Sequence, residues 1–272
     1  MAFMSIILLL YLLSAAGYLV FLFFQKQILH KLSYGILSAG FLLHTVLIGY
    51  EFAHLGFFPV HTLHHTLSFT SWTLAGVYLL LKYRYHLNIL GAFAAPLTAA
   101  VMIAVVCIPA VPTEHGAQLK SIWLILHVGF IFIGQACLAL ACGAGILYLI
   151  QEHAIKSKTS RFFLKRLPSL EFIDVTGYLF IIIGFTMLTV GLITGFVYAH
   201  QVWGRFWSWD PKEIWSGVSW LIYAALLHGR LAAGWRGRRS AVMAIIGFAA
   251  LLFTFLGVNI FLEGHHDKFT RW

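Results

Sequence analysis

Five of the nine tryptophans in this chain fall between Trp203 and Trp220, and three of them crowd into the eight residues Trp203-Gly204-Arg205-Phe206-Trp207-Ser208-Trp209-Asp210. Tryptophan favours the membrane–water boundary, but an ordinary aromatic belt scatters its rings over every helix end. Here the rings are concentrated in one stretch and interleaved with the cations Arg205 and Lys212. Flat apolar rings beside cations suit a large planar ligand that carries carboxylates, and a porphyrin with two propionates is such a ligand. Asp210-Pro211-Lys212-Glu213 reads as a helix start, with Asp at the N-cap, Pro at the first position and Glu at the third. That pattern gives Asp210 a scaffold role whether or not it also touches a ligand.

Fourteen histidines stand in a chain of which only 10% is charged. Ionisable groups inside a bilayer are usually functional. His127 lies near the start of one apolar run and His266 follows the last one, on the same side of the bilayer by the charge count below. The two can reach a ligand beside the tryptophans from different helices, and two neutral imidazoles are suitable axial ligands for haem iron. His228 falls about 21 Å along its helix from residue 214, a level far from the tryptophans. His61 and His65 are spaced i,i+4, as in some metal sites, though no third ligand type stands nearby; His64 lies between them. His44 reads either as an intramembrane ligand or as a core hydrogen-bond donor. His30 and His44 are 14 apart, the sort of spacing used by b-type electron carriers, but His30 is expected in a loop.

The elements that position these groups follow from composition. With 61% of its 272 residues hydrophobic, the chain cannot coat a water-facing surface. Apolar runs recur at about 3–24, 34–52, 61–81, 88–109, 121–150, 174–200, 214–229 and 240–262, which predicts about eight membrane-spanning helices. The fold class expected is all-α, a polytopic bundle forming one integral membrane domain over residues 1–272. The formal charge of +9 might suggest nucleic acid, yet the basic residues sit in short loops between spans. Thirteen Lys and Arg fall on one set of loops and five on the other. The positive-inside rule then puts both termini, residues 202–220 and Glu114-His115 on the outer side. Cys107, Cys137 and Cys142 all lie in apolar runs and form no CxxC, so neither a redox motif nor a disulfide framework is indicated. Gly191-Leu192-Ile193-Thr194-Gly195 and Gly143-Ala144-Gly145 are small-residue patches that allow close helix packing.

Trp203 to Trp215, with Trp220-Leu221-Ile222-Tyr223 and Leu227-His228, resembles the WWD domain of the CcsA (ResC) family of cytochrome c assembly proteins. Weaker similarity extends through Gly56-Phe57-Phe58-Pro59, Phe69-Thr70-Ser71-Trp72 and Gly234-Trp235-Arg236-Gly237. The resemblance implies a haem-handling and delivery subunit of a membrane cytochrome c synthase, in a bacterial inner membrane. It would present non-covalent haem b in transit on the outer face, for attachment to the CxxCH of apocytochrome c. The implied partner is a CcsB (ResB) subunit. By the same resemblance His127 and His266 are the outer iron ligands and His228 a transient one. Trp203, Arg205, Trp207, Trp209, Asp210 and Trp215 then belong to the haem site. The family commonly reads Gly-Leu-His-Ser-Tyr where this chain reads Gly264-His265-His266-Asp267-Lys268, so His265 could substitute for His266. It also departs at His61–Thr66, where relatives read closer to Ser-Asn-Leu-Tyr-Glu-Ser. An alternative is a HemX-type regulator of haem biosynthesis, acting on glutamyl-tRNA reductase levels. No general acid or base stands out; the expected contribution is positioning, as part of a holocytochrome c synthase (haem lyase).

Overall fold

The computed structural model describes residues 2–85, 88–108, 117–158 and 167–261. Among them the structure is helical throughout. The long helices are α1 (Ala2–Phe24), α2 (Gln27–Leu55), α3 (Leu63–Tyr85), α4 (Gly91–Cys107), α5 (Ile122–Lys156), α6 (Leu170–Trp203), α7 (Pro211–Ala232) and α8 (Arg238–Leu252). A π-helical turn, Phe253–Gly257, carries α8 into a short α9 (Val258–Phe261). All eight expected spans correspond to helices. The overlong fifth and sixth are real, at 35 and 34 residues.

Six of the eight are long and apolar enough to cross a membrane: Phe3–Phe24, Gln27–Leu55, Asn88–Cys107, Ile122–Lys156, Leu170–Trp203 and Arg238–Gly257. α3 and α7 fall short in apolarity, for reasons visible in their contacts. The hydroxyls of Thr66, Thr70 and Thr73 donate back to carbonyls one turn earlier, at 2.7–2.8 Å. Ser71 donates to the Thr98 carbonyl of α4 at 3.1 Å. A helix buried among other helices can thus carry polar side chains that lipid would not accept. On the outside the reverse holds: Leu42, Val46, Leu80 and Leu221 are all more than 60% exposed. So much outward-facing apolar surface suits hydrocarbon rather than water.

The chain divides into two compact units, residues 1–120 and residues 121–268. The first holds α1 to α4. Its centre is His44, fully buried. Its Nδ1 lies 3.2 Å from the Tyr11 hydroxyl of α1, and its Nε2 lies 2.9 Å from the Ser68 hydroxyl of α3. Both ring nitrogens are therefore engaged, which makes His44 a link between three helices. The Tyr78 hydroxyl donates to that of Tyr18 at 3.0 Å. His30 is not in a loop, as its sequence context suggested; it sits on the first turn of α2, buried against Tyr18, Phe21 and Tyr34. His61 precedes α3, and its ring stacks on that of His65 with centroids 4.5 Å apart. Stacking sets the two rings side by side, and no cluster of three or more His, Cys, Asp or Glu suited to a metal is found among the described residues.

The second unit holds α5 to α9. Ser169 starts α6 by accepting from the Phe172 amide at 3.2 Å. Between α5 and α6 the backbones nearly touch: a Cβ on Gly134 would lie 2.9 Å from the Leu188 nitrogen and 3.0 Å from the Gly184 oxygen. Without side-chain volume there, dispersion contacts and weak backbone contacts accumulate, which is how helices associate in lipid.

His44→Leu removes one partner from each of two buried hydroxyls. It is expected to lower stability by about 1–3 kcal/mol, read as an earlier melting transition of the detergent-purified chain. An unchanged transition would show the link to be dispensable.

Candidate haem-handling site

Gly204 ends α6. Its φ of +71° is left-handed, a conformation glycine adopts without strain, and its amide closes the last turn on the His200 carbonyl at 2.9 Å. The chain then reverses within six residues, 205–210, before α7 begins at Pro211.

That second start follows the expected capping pattern. Asp210 is the N-cap, with its Oδ1 accepting from the Lys212 amide at 2.9 Å, and Pro211 stands at the first helical position. Glu213 does more than the pattern predicted. Its carboxylate accepts from the Asp210 amide at 3.2 Å, from the Ser208 amide at 2.8 Å and from the Ser208 hydroxyl at 3.0 Å. One side chain thereby fixes both the helix start and the loop before it. Asp210 is buried beneath this arrangement, at 3% exposure, as befits a scaffold.

Glu213 also holds Trp209 in an unusual backbone. Its φ is +61°, left-handed for a residue with a large side chain, which costs about 1–3 kcal/mol. The conformation turns the Trp209 ring outward, where it is 75% exposed. Trp207 turns the other way. Its ring meets Phe196 of α6 edge-on at 5.8 Å and Trp209 edge-on at 5.7 Å. Its Nε1 is buried and has no hydrogen-bond partner among the described residues. An indole N–H in that state is short by about 1–3 kcal/mol of hydrogen bonding, and an acceptor on a ligand would recover it. Trp203 packs edge-on against Tyr198 at 6.4 Å, and Phe206 stacks on His200 at 4.3 Å. Arg205 is exposed on the same turn.

His127 reaches this region from α5. Its Nδ1 lies 2.7 Å from the Gly191 carbonyl of α6. A carbonyl can only accept, so Nδ1 carries the proton and the neutral ring has its lone pair on Nε2. Histidines that ligate metals commonly have this support, the other nitrogen donating to a carbonyl or carboxylate. The ring also packs on Gly195, the neighbour of Phe196, so His127 and Trp207 meet α6 at the same level. An imidazole of fixed tautomer packed on α6, and flat rings, a buried N–H donor and a cation on the segment that follows, are the group types that suit a planar metal-bearing ligand with carboxylates at its edge.

Not every expected residue joins this group. Trp215 faces the π-helical turn, 4.5 Å from the Phe253 ring, and its carbonyl accepts from Thr254 at 3.2 Å. It anchors α7 to the end of α8. Trp220 donates to the Thr189 hydroxyl of α6 at 2.9 Å. His228 is exposed on α7, about 20 Å along the helix from Trp215. His265, His266 and the Glu114-His115 pair lie outside the described residues.

Near His228 the structure shows an ion pair that reading the chain missed. Arg230 donates to both Asp174 carboxylate oxygens, at 3.0 and 2.7 Å, and the Gly237 amide adds a third bond at 2.8 Å. The available signal was Asp174 itself, an acid near the end of an apolar helix.

Fold and site together define a polytopic membrane helix bundle with a braced tryptophan segment at the end of α6 and a tautomer-fixed histidine packed on the same helix. The profile of the family described as Cytochrome C assembly protein matches residues 60–266, and the chain belongs to that family. Cytochrome c biogenesis protein CcsA of Guillardia theta is 32% identical, over 94% of this chain and 92% of its own. The protein of the same name from Porphyra purpurea is 32% identical over 78% and 79%. Among solved structures, cytochrome c heme lyase CcmF shares the fold, with a TM-score of 0.64 at 16% identity. The match covers 98% of this chain and 47% of CcmF, so the chain spans about half of that protein's length.

Glu213→Ala leaves three donors without an acceptor. Limited proteolysis between Trp203 and Asp210 is expected to accelerate, and stability to fall by about 1–3 kcal/mol. Unchanged protease resistance would mean that ring packing alone holds the segment.

Proposed function

We propose that this chain is the haem-handling and delivery subunit of a membrane cytochrome c synthase. The observation that carries the reading is the Nδ1–Gly191 hydrogen bond of His127, which readies Nε2 for iron at the level of Trp207. The names carried by the relatives, cytochrome c biogenesis protein CcsA, support assembly over the HemX-type regulator.

In this reading His127 and His266 would hold the haem iron. Trp203, Trp207 and Trp209 contact the flat face of the porphyrin, Trp207 Nε1 meets an acceptor on it, and Arg205 faces its propionates. Asp210, Glu213 and Trp215 brace the segment without touching the ligand. His228 holds haem b transiently at the opposite end of α7. When bound, haem supplies the vinyl groups to which the CxxCH thiols of apocytochrome c add. The chain's own contribution is orientation and control of the iron's environment. The charge bias of the loops supports an outer-facing tryptophan segment, and the membrane in this reading is a bacterial inner membrane. A CcsB (ResB)-type subunit is the expected partner.

Purified full-length protein is expected to carry non-covalent haem with a low-spin absorption spectrum. His127→Ala should remove that spectrum; undiminished low-spin haem in the variant would refute the assignment. Deleting the gene should abolish covalent c-type haem in the membrane. Unchanged c-type haem with raised glutamyl-tRNA reductase would instead establish the regulator.

A further inference from the structure

The pair Gly191 and Gly195 has a use beyond helix packing. Both glycines face α5, where Ile131 lies against Gly191 and the His127 ring against Gly195. The Gly191 carbonyl accepts from His127 Nδ1 at 2.7 Å and also from the Thr194 hydroxyl at 2.9 Å. One turn further, a Cβ on Gly195 would lie 2.5 Å from that same Nδ1 and 2.7 Å from Cε1 of the ring. No real Cβ tolerates such distances, so even one methyl group would push the ring off its acceptor. Elsewhere in the same interface glycines clear space for other things: a Cβ on Gly184 would meet Leu138 at 2.6 Å, and one on Gly191 would meet Ile131 at 2.8 Å. At Gly195 the cleared space belongs to an imidazole.

We infer that Gly191 and Gly195 are positioning residues for the iron ligand: the carbonyl of the first fixes the His127 tautomer, and the missing side chain of the second lets the ring reach it. The inference rests on the reading of His127 as a haem ligand. Once the ring is displaced, the Nδ1–H loses its carbonyl, the proton is no longer confined to Nδ1, and Nε2 loses its direction. Supporting partners of this kind commonly contribute ten- to a hundred-fold to metal affinity.

The experiment compares full-length Gly195→Ala with Gly184→Ala and His127→Gly, each purified in detergent with its haem. Gly184→Ala is the control, since it crowds the same two helices at a comparable distance, 2.6 Å from Leu138 and 3.1 Å from the Gly134 oxygen, but away from the His127 ring. Gly195→Ala is expected to lower haem occupancy about tenfold, to replace the low-spin ferric signal with a high-spin one, and to regain the low-spin signal when imidazole is added. Gly184→Ala should keep the unaltered spectrum. A native spectrum in Gly195→Ala, with haem lost from His127→Gly, overturns the positioning role and leaves the ligand intact. Native haem in His127→Gly overturns both, because no ligand would then need a seat. Equal loss in the two alanine variants overturns it too, as general crowding would suffice. Should Gly195→Ala fail to accumulate, the double variant with His127→Gly removes the ring that the methyl strikes. Its recovery to the level of Gly184→Ala, with low-spin haem on added imidazole, supports the inference; failure to recover overturns it.

Discussion

Lipid gives apolar helices no hydrophobic reason to associate, so their pairing depends on how closely backbones can come. In the second unit that dependence falls on α5 and α6. Where Gly134 and Gly184 face each other, main-chain atoms stand at the limit of contact. His127 reaches across the same pair of helices to the Gly191 carbonyl, and α6 runs on to Trp203.

A second constraint acts at the end of α6. A chain that reverses within six residues exposes the unpaired amides of a new helix, and Glu213 and Asp210 satisfy them with their side chains. The same carboxylate holds Ser208, so the loop cannot relax the backbone of Trp209 out of its left-handed conformation. Strain of this kind survives only where the surroundings over-determine it. Here it serves to aim one ring outward and leave another with an unmet donor.

Much of this was legible in the chain before any fold was known. Apolarity located the helices, and Asp210-Pro211-Lys212-Glu213 announced its own helix start. Boundaries were read less well: α2 begins at Gln27, several residues before the uncharged run that marked it, because Lys31 interrupts hydropathy without interrupting the helix. α3 was read as another span, yet its Ser, Thr and His side chains find partners inside the first unit. Long-range partners left no trace in periodicity. The carbonyl that fixes His127 is 64 residues away, and any residue type would have offered one. What singles out Gly195 is the ring that lies against it, and that is a fact of packing.

The two ends of α7 are both fastened to their surroundings. At one end Glu213 ties it to the tryptophan segment; at the other Arg230 grips Asp174 through two hydrogen bonds, with the side chains 8% and 11% exposed. Releasing one partner of so enclosed a pair costs about 3–5 kcal/mol. α7 is therefore a strut and not a piston. From Trp215 to His228 it keeps a length of about 20 Å, a built-in ruler between its two ends. With both ends tied, the spacing between the Trp215 and His228 side chains is set by the helix itself and not by the loops that flank it.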